Sequence, residues 1–271
     1  VPTSYGVGKL FNQSPNDRNE DFDVIRNSTV TRIAPNGLLE EIGVNVPCID
    51  YVTGEPLLLT QPQSTNLIQY SEDFSQSWIL TQLTGVANSG VSPNGNNNVF
   101  NLIPNTSNAQ HKLVYVISST NQRTISIFAK QNGYAKFRIN TGSSGNGFAN
   151  FNLENGTIPA SGGTFFNNAK IEPLPNDWYR CSMTINSGGG TSNVFALIDS
   201  ITDSITFPGD GISGILFWGA QTEEQPFATS YIPTNGSTVT RLGDQIINAG
   251  STDTINSEQG VLYFEGAALT N

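Results

Sequence analysis

Few side chains in this chain could do chemistry on a substrate, and their spacing narrows the field further. His111 is the sole histidine among 271 residues. That excludes multi-histidine metal sites, and no Gly-x-Ser-x-Gly elbow is present to complete a hydrolase triad around it. At the edge of a strand-like pattern, it reads as a structural residue. Cys48 and Cys181 lack a second Cys or His at zinc spacing. Cys181 sits inside an apolar strand pattern, so two free thiols are expected in preference to a disulfide. Carboxylates remain, because glycoside hydrolysis needs only two acids flanking a bond. The candidates are Glu72 with Asp73 and Glu223 with Glu224. Successive residues of a strand point to opposite faces, so neither pair is a ready dyad, although Glu72 and Glu223 could meet across a fold. Solvated loop carboxylates are the plainer reading. The other use for Glu72 and Glu223 is a structural calcium, since hard oxygen ligands near the start and end of a sandwich can staple its termini. No catalytic residue is assigned, no other cofactor is called for, and the expectation is that the chain is not an enzyme.

Binding chemistry is better represented than catalytic chemistry. The runs "NSGVSPNGNNN" (88–98), "GSSGNG" (142–147) and "SGGG" (187–190) lack the Gly-Lys-Ser/Thr ending of a phosphate loop and read as turns. Such turns suit sugars: Asn, Ser and Gln both donate to and accept from hydroxyls, and aromatic faces stack on sugar rings. Trp78, Tyr134, Phe148, Trp178 and Trp218 are the aromatics nearest such loops or on alternate strand faces. Trp78, Tyr134, Phe148 and Trp218 form the candidate carbohydrate-binding set, with core packing the competing reading for each.

Charged residues are 13% of the chain, about half the share usual in a soluble domain. The 31 asparagines outnumber the 12 lysines and arginines, so uncharged polar groups do most of the solvating. A net charge of -10 argues against nucleic acid as a partner, because phosphate binding needs clustered cations. No apolar run approaches the roughly 20 residues that span a bilayer, so membrane insertion is not expected. The opening residues lack both a signal-peptide pattern and an initiator Met, so the expectation is a processed product or the ordered part of something longer.

Three regions must position these residues. Residues 1–62 show no sustained periodicity and read as an extended arm with short strands. The arm's Val24, Ile25, Leu38, Leu39, Ile42 and Val44 should pack on a neighbouring domain or another subunit. Over 63–235, short alternating segments separated by Gly and Asn predict an all-β, antiparallel β-sandwich of the jelly-roll kind. At least seven strands are visible, among them "TISIFAK" (124–130), "AKFRIN" (135–140), "GFANFNL" (147–153) and "WYRCSMTI" (178–185). In the last, Tyr179, Cys181, Met183 and Ile185 share the core face. The Asn-Gly of "QNGY" predicts that the strands on either side pair directly. Residues 236–271 read as a linker and one strand, "GVLYFEGA", the first of a following domain or one donated to a partner.

Residues 24–78 then show a more specific pattern. "RNSTVT", "NGLL", "NVPCIDY" and "TNLIQYSEDF" leading to Trp78 resemble a segment recurring in tail-fibre, head-fibre and other structural proteins of tailed bacteriophages. Cys48 and Ser64 stand where that pattern has arginine. The stretch "WGAQTEEQPFATSYIPTNGSTVTRLGDQI" (218–246) is similar to the closing strand and exit linker of the concanavalin-like jelly roll that follows the arm in such proteins. The resemblance implies a virion structural protein on the particle surface, a fibre or spike component involved in host attachment. Its implied partners are other virion proteins, further copies of itself, with a homotrimer usual for a fibre, and a bacterial surface glycan or receptor. It supplies no catalytic residues. The alternative is a carbohydrate-binding module of a secreted bacterial polysaccharide-active enzyme or adhesin, where similar sandwiches occur.

Overall fold

The computed structural model describes residues 2–6, 9–12 and 23–247, so the strand expected in "GVLYFEGA" lies outside the described residues. The described residues are all-β and divide into two compact units, one of segments up to Ser64 and from Thr240, the other Thr65–Val239.

The larger unit is a sandwich of two six-stranded antiparallel sheets. The first sheet runs Leu83–Val86, Phe100–Pro104, Gly214–Glu223, Arg123–Asn132, Trp178–Ile185 and Phe166–Leu174. The second runs Thr157–Gly162, Ser143–Asn152, Lys136–Thr141, Ser192–Ile198, Lys112–Val116 and Ile79–Thr81. Alternation builds the core between them. Ile125, Ile127, Cys181, Met183, Ile215 and Phe217 of the first sheet join Leu113, Phe137, Ile139, Phe151 and Phe195 of the second, all fully buried. Transfer of that apolar surface from water is the main stabilising term of the unit. The core face anticipated for "WYRCSMTI" is the one observed, and both cysteines are free and buried. Burial pushes the Cys48 thiol up to about 12.

The hairpin expected at "QNGY" does not form. Arg123–Asn132 pairs with Trp178–Ile185 and Gly214–Glu223, whereas Lys136–Thr141 belongs to the opposite sheet. Gly133, with φ of 100°, supplies a turn that carries the chain across the sandwich, and the Tyr134 amide donates to Gly214 O at 3.1 Å. Two neighbouring strands that each carry a full apolar face bury both faces by facing one another across the core, and that outweighs the local turn preference.

The smaller unit is built from short two-stranded pairs. Val30–Ile33 pairs with Leu39–Ile42, Ile49–Asp50 with Leu57–Leu58, and Asp23–Ile25 with Gln245–Ile247. A buried guanidinium organises it. Arg26 donates to Asp244 Oδ1 at 2.7 Å and to the carbonyls of Ser28, Gly43 and Val46, while Asp244 Oδ2 accepts the Gln61 amide at 2.8 Å. Of the apolar residues expected to pack away, Val24 is buried, Leu38, Leu39 and Ile42 are half-buried, and Ile25 and Val44 are exposed.

Candidate functional site

The outward face of the second sheet collects the groups best suited to binding. In Lys136–Thr141, Phe137 and Ile139 enter the core, which turns Lys136, Arg138 and Asn140 outward. In Ser143–Asn152, Ala149 and Phe151 go inward and leave Phe148, Asn150 and Asn152 on the same outer face. The register sets Arg138 opposite Asn150, and Asn140 opposite Phe148. The Arg138 guanidinium carbon lies 4.4 Å from the Phe148 ring centroid, and its Nε donates to Asn150 Oδ1 at 2.7 Å. A guanidinium stacked on a ring and tied at one edge keeps its remaining N–H donors in a fixed plane. Partial burial holds its pKa below the usual arginine value.

The asparagines on this face are oriented by their own oxygens. Asn140 Oδ1 accepts the Gly142 amide and Asn152 Oδ1 the Glu154 amide, each at 3.0 Å. Among the described residues their amide nitrogens meet no hydrogen-bond partner and remain as donors. Next to Arg138, the Ser192–Ile198 strand presents Val194 and Ala196, a low floor, and beyond it stands Lys112, in cross-strand register with Ala196. The result is a shallow face on which half-buried Arg138, Phe148 and Lys112 stand around a buried apolar strip, with the largely buried asparagines at one side. It suits an extended chain of hydroxylated rings.

Phe148 is the sequence candidate that this face contains. Tyr134 is half-buried against the core, 5.5 Å from the Phe207 ring. Two candidates require correction. Trp78 belongs to the core cluster, its Nε1 donating to Tyr70 O at 2.9 Å. Trp218 is only 1% exposed, wedged between Phe128 and Tyr231 at 5.3 and 4.9 Å between centroids. Neither ring offers a face to a sugar, and Trp178 is likewise buried, held through Nε1 to Val91 O at 3.2 Å. His111 is fully buried between two backbone carbonyls, Gln82 O at 2.7 Å and Phe207 O at 2.8 Å, in the structural role its sequence context suggests.

Glu72 and Glu223 are held by separate sets of donors. Glu223 is fully buried, and its carboxylate accepts from Gln221 Nε2, the Thr229 amide and Thr229 Oγ1 at 2.6 to 2.8 Å. Glu72 accepts from Tyr231 Oη at 3.1 Å and Asn98 Nδ2 at 2.9 Å. The Trp218 N–H lies toward the same carboxylate without reaching hydrogen-bond geometry. Desolvation raises the Glu72 pKa against those donors. Oxygens that face N–H and O–H groups face the wrong partners for a cation. Among the described residues no group of three His, Cys, Asp or Glu gathers at either position.

The motifs that carry the phage resemblance prove to be fasteners. Asn66 of "TNLI" is fully buried and makes four hydrogen bonds: Nδ2 to Ala220 O and Ile232 O, and Oδ1 from the Ile68 and Thr222 amides. Ser71 of "YSEDF" pairs with Tyr231 Oη at 2.7 Å and accepts the Thr234 amide at 2.8 Å. The two stretches, separated by most of the sandwich in sequence, therefore close on each other. Arg138 and the asparagines beside it went unnoticed in the sequence. The available signal was their shared parity with Phe148 on consecutive strands.

No family model and no curated protein matches the chain. Among solved structures it is similar to the enzymatically active domain of tailspike protein 4 from bacteriophage CBA120, at 14% identity and a TM-score of 0.31. The match covers 58% of this chain and 21% of that one, so it spans about a fifth of the length of that domain. The expectation that the chain is not an enzyme is corrected by this finding, since the similar chain is an enzymatically active domain. The buried histidine and the two enclosed glutamates speak only for themselves.

Proposed function

We propose that the chain is a fibre or spike component of a tailed-phage virion that attaches the particle to host-surface glycan through the outer face of the second sheet. The observation that carries this reading is the group of Arg138, Phe148, Asn140, Asn150 and Asn152, which gathers a planar donor, a ring and side-chain amides on one outer sheet face. Sugars are recognised by such groups, through hydrogen bonds to hydroxyls and contact with flat apolar surfaces. The resemblance of residues 24–78 and 218–246 to phage structural proteins supports the particle setting, with other virion proteins and a homotrimer of this chain as the partners. The test is affinity electrophoresis of the full chain through gels holding bacterial surface polysaccharides. Retardation that Phe148→Ala removes, in a variant that still folds, is expected; free migration in every polymer would sink the proposal.

The compactness of Thr65–Val239 supports a second reading, a carbohydrate-binding module of a secreted bacterial protein. Light scattering separates the two. A stable oligomer of the full chain fits the fibre, and a glycan-binding monomer fits the module.

A further inference from the structure

We infer that the glycan taken by the second sheet is acidic, its carboxylate or comparable anionic group held by Arg138 and Lys112. The inference rests on the glycan reading above and specifies its chemistry.

The six strands of this sheet, Ile79–Thr81, Lys112–Val116, Lys136–Thr141, Ser143–Asn152, Thr157–Gly162 and Ser192–Ile198, contain no Asp or Glu, in a chain that has 22 of them. They do contain Lys112, Lys136 and Arg138, all on the outer face. Lys136 is neutralised by Asp203 at 2.7 Å. Among the described residues Arg138 and Lys112 form no ion pair, and the depression of the Arg138 pKa comes from desolvation. A half-buried cation with no counter-charge is unusual in a protein of net charge -10, and it is electrostatically unfavourable until an anion arrives.

The geometry fits a carboxylate. Nε of Arg138 is used by Asn150, which leaves the two Nη groups to form parallel bonds to two oxygens. The Phe148 ring fixes the plane in which those bonds must lie. Register places Lys112 two strands away, across Ala196, so the two cations stand about 10 Å apart at the backbone, at roughly 4.8 Å per strand. That separation spans about two residues of a polysaccharide, with the Asn140, Asn150 and Asn152 amides beside it to take hydroxyls. The overall negative charge repels an anionic polymer elsewhere on the surface, so binding is confined to this face.

The experiment compares alginate, a polyuronate, with the same polymer after chemical reduction of its carboxyl groups to alcohols, each titrated calorimetrically into the full chain. Binding to alginate is expected to be at least about tenfold tighter than to the reduced polymer, and to weaken as salt is raised. Arg138→Gln should lose about tenfold or more on alginate, with Arg138→Lys intermediate because the charge survives without the fork. Lys112→Gln, remote from the Phe148 stack, should weaken alginate binding several-fold with an unchanged melting temperature, which guards against misfolding of the Arg138 variants. Equal affinity for both polymers, lost equally in Arg138→Gln, would overturn the acidic specificity and leave the glycan reading intact. Binding of neither polymer would also overturn the inference, and retention of the chain by a neutral polysaccharide would then show that glycan binding itself stands.

Discussion

Each outer face of the sandwich carries an arginine over a phenylalanine, and the two pairs come to different ends. Arg138 over Phe148 lies on the second sheet with free donors beside it. Arg180 lies 5.5 Å from the Phe128 centroid on the first sheet, where its Nε is buried without a partner. The difference is in what crosses above. Segments around Val91 and Gln225–Pro226 are bound to Trp178, Thr124 and Thr184 of the first sheet, and Tyr231 closes over Phe128 and Trp218. Strand sequence therefore decides which side chains leave the core, and loop packing decides whether they become a surface or a second core. Gly219 marks the transition: at φ 61° it forms a bulge opposite Ile127, and an added Cβ would come within 2.8 Å of Phe128 Cδ2.

The contrast is sharpest in matched truncations. Trp218→Ala on the covered face should cost about 3–5 kcal/mol, as for a core aromatic, whereas Phe148→Ala on the open face should cost about 1 kcal/mol or less and act on glycan binding instead. Denaturant titrations of both variants beside binding curves check this, and equal destabilisation would erase the distinction. Asn66→Ala should cost about 3 kcal/mol, because it strands two buried carbonyls and two buried amides. Its effect should be read in the melting temperature of the sandwich, while the glycan affinity of the folded fraction stays unchanged.

The smallest effect concerns Glu72, under the covered face. Its raised pKa means that the folded state holds the proton more tightly than the unfolded chain. The resulting penalty is absent below the unfolded value near 4.5, grows as pH rises through it, and is complete above the folded value. Glu72→Gln should therefore raise the melting temperature at pH 7 and leave it almost unchanged at pH 4. The Gln amide can also serve the Asn98 Oδ1, which is buried without a partner. Thermal scans across that range that show an equal shift at both values would assign the stabilisation to something other than charge burial.

Much of the sandwich was legible because period-two patterning reports burial directly: "WYRCSMTI" matches its strand, Trp178–Ile185, residue for residue. The Asn-Gly hairpin was misread because local turn chemistry cannot tell whether the strands that it joins lie side by side or face to face. Phe148 was legible as a candidate, yet Trp78 and Trp218 resembled it equally well from sequence. Parity along a strand gives the side from which a residue projects, and it carries no information on the distant segment that will lie over it. Arg138 was overlooked for the complementary reason. Its importance comes from the absence of acids on five neighbouring strands, which only the sheet order brings together.

The stitching of residues 66–71 to 220–236 has an evolutionary corollary. Tyr70 bridges Asn235, and the Gly236 amide bonds to Gln69 O at 2.8 Å, so the sandwich begins and finishes at one place. A gene cut near the codons for residues 65 and 239 would release a complete fold with its fastener included. Recombination at those two points could exchange one sandwich surface for another and leave the flanking sequence untouched, because the fastener travels with the piece that is exchanged.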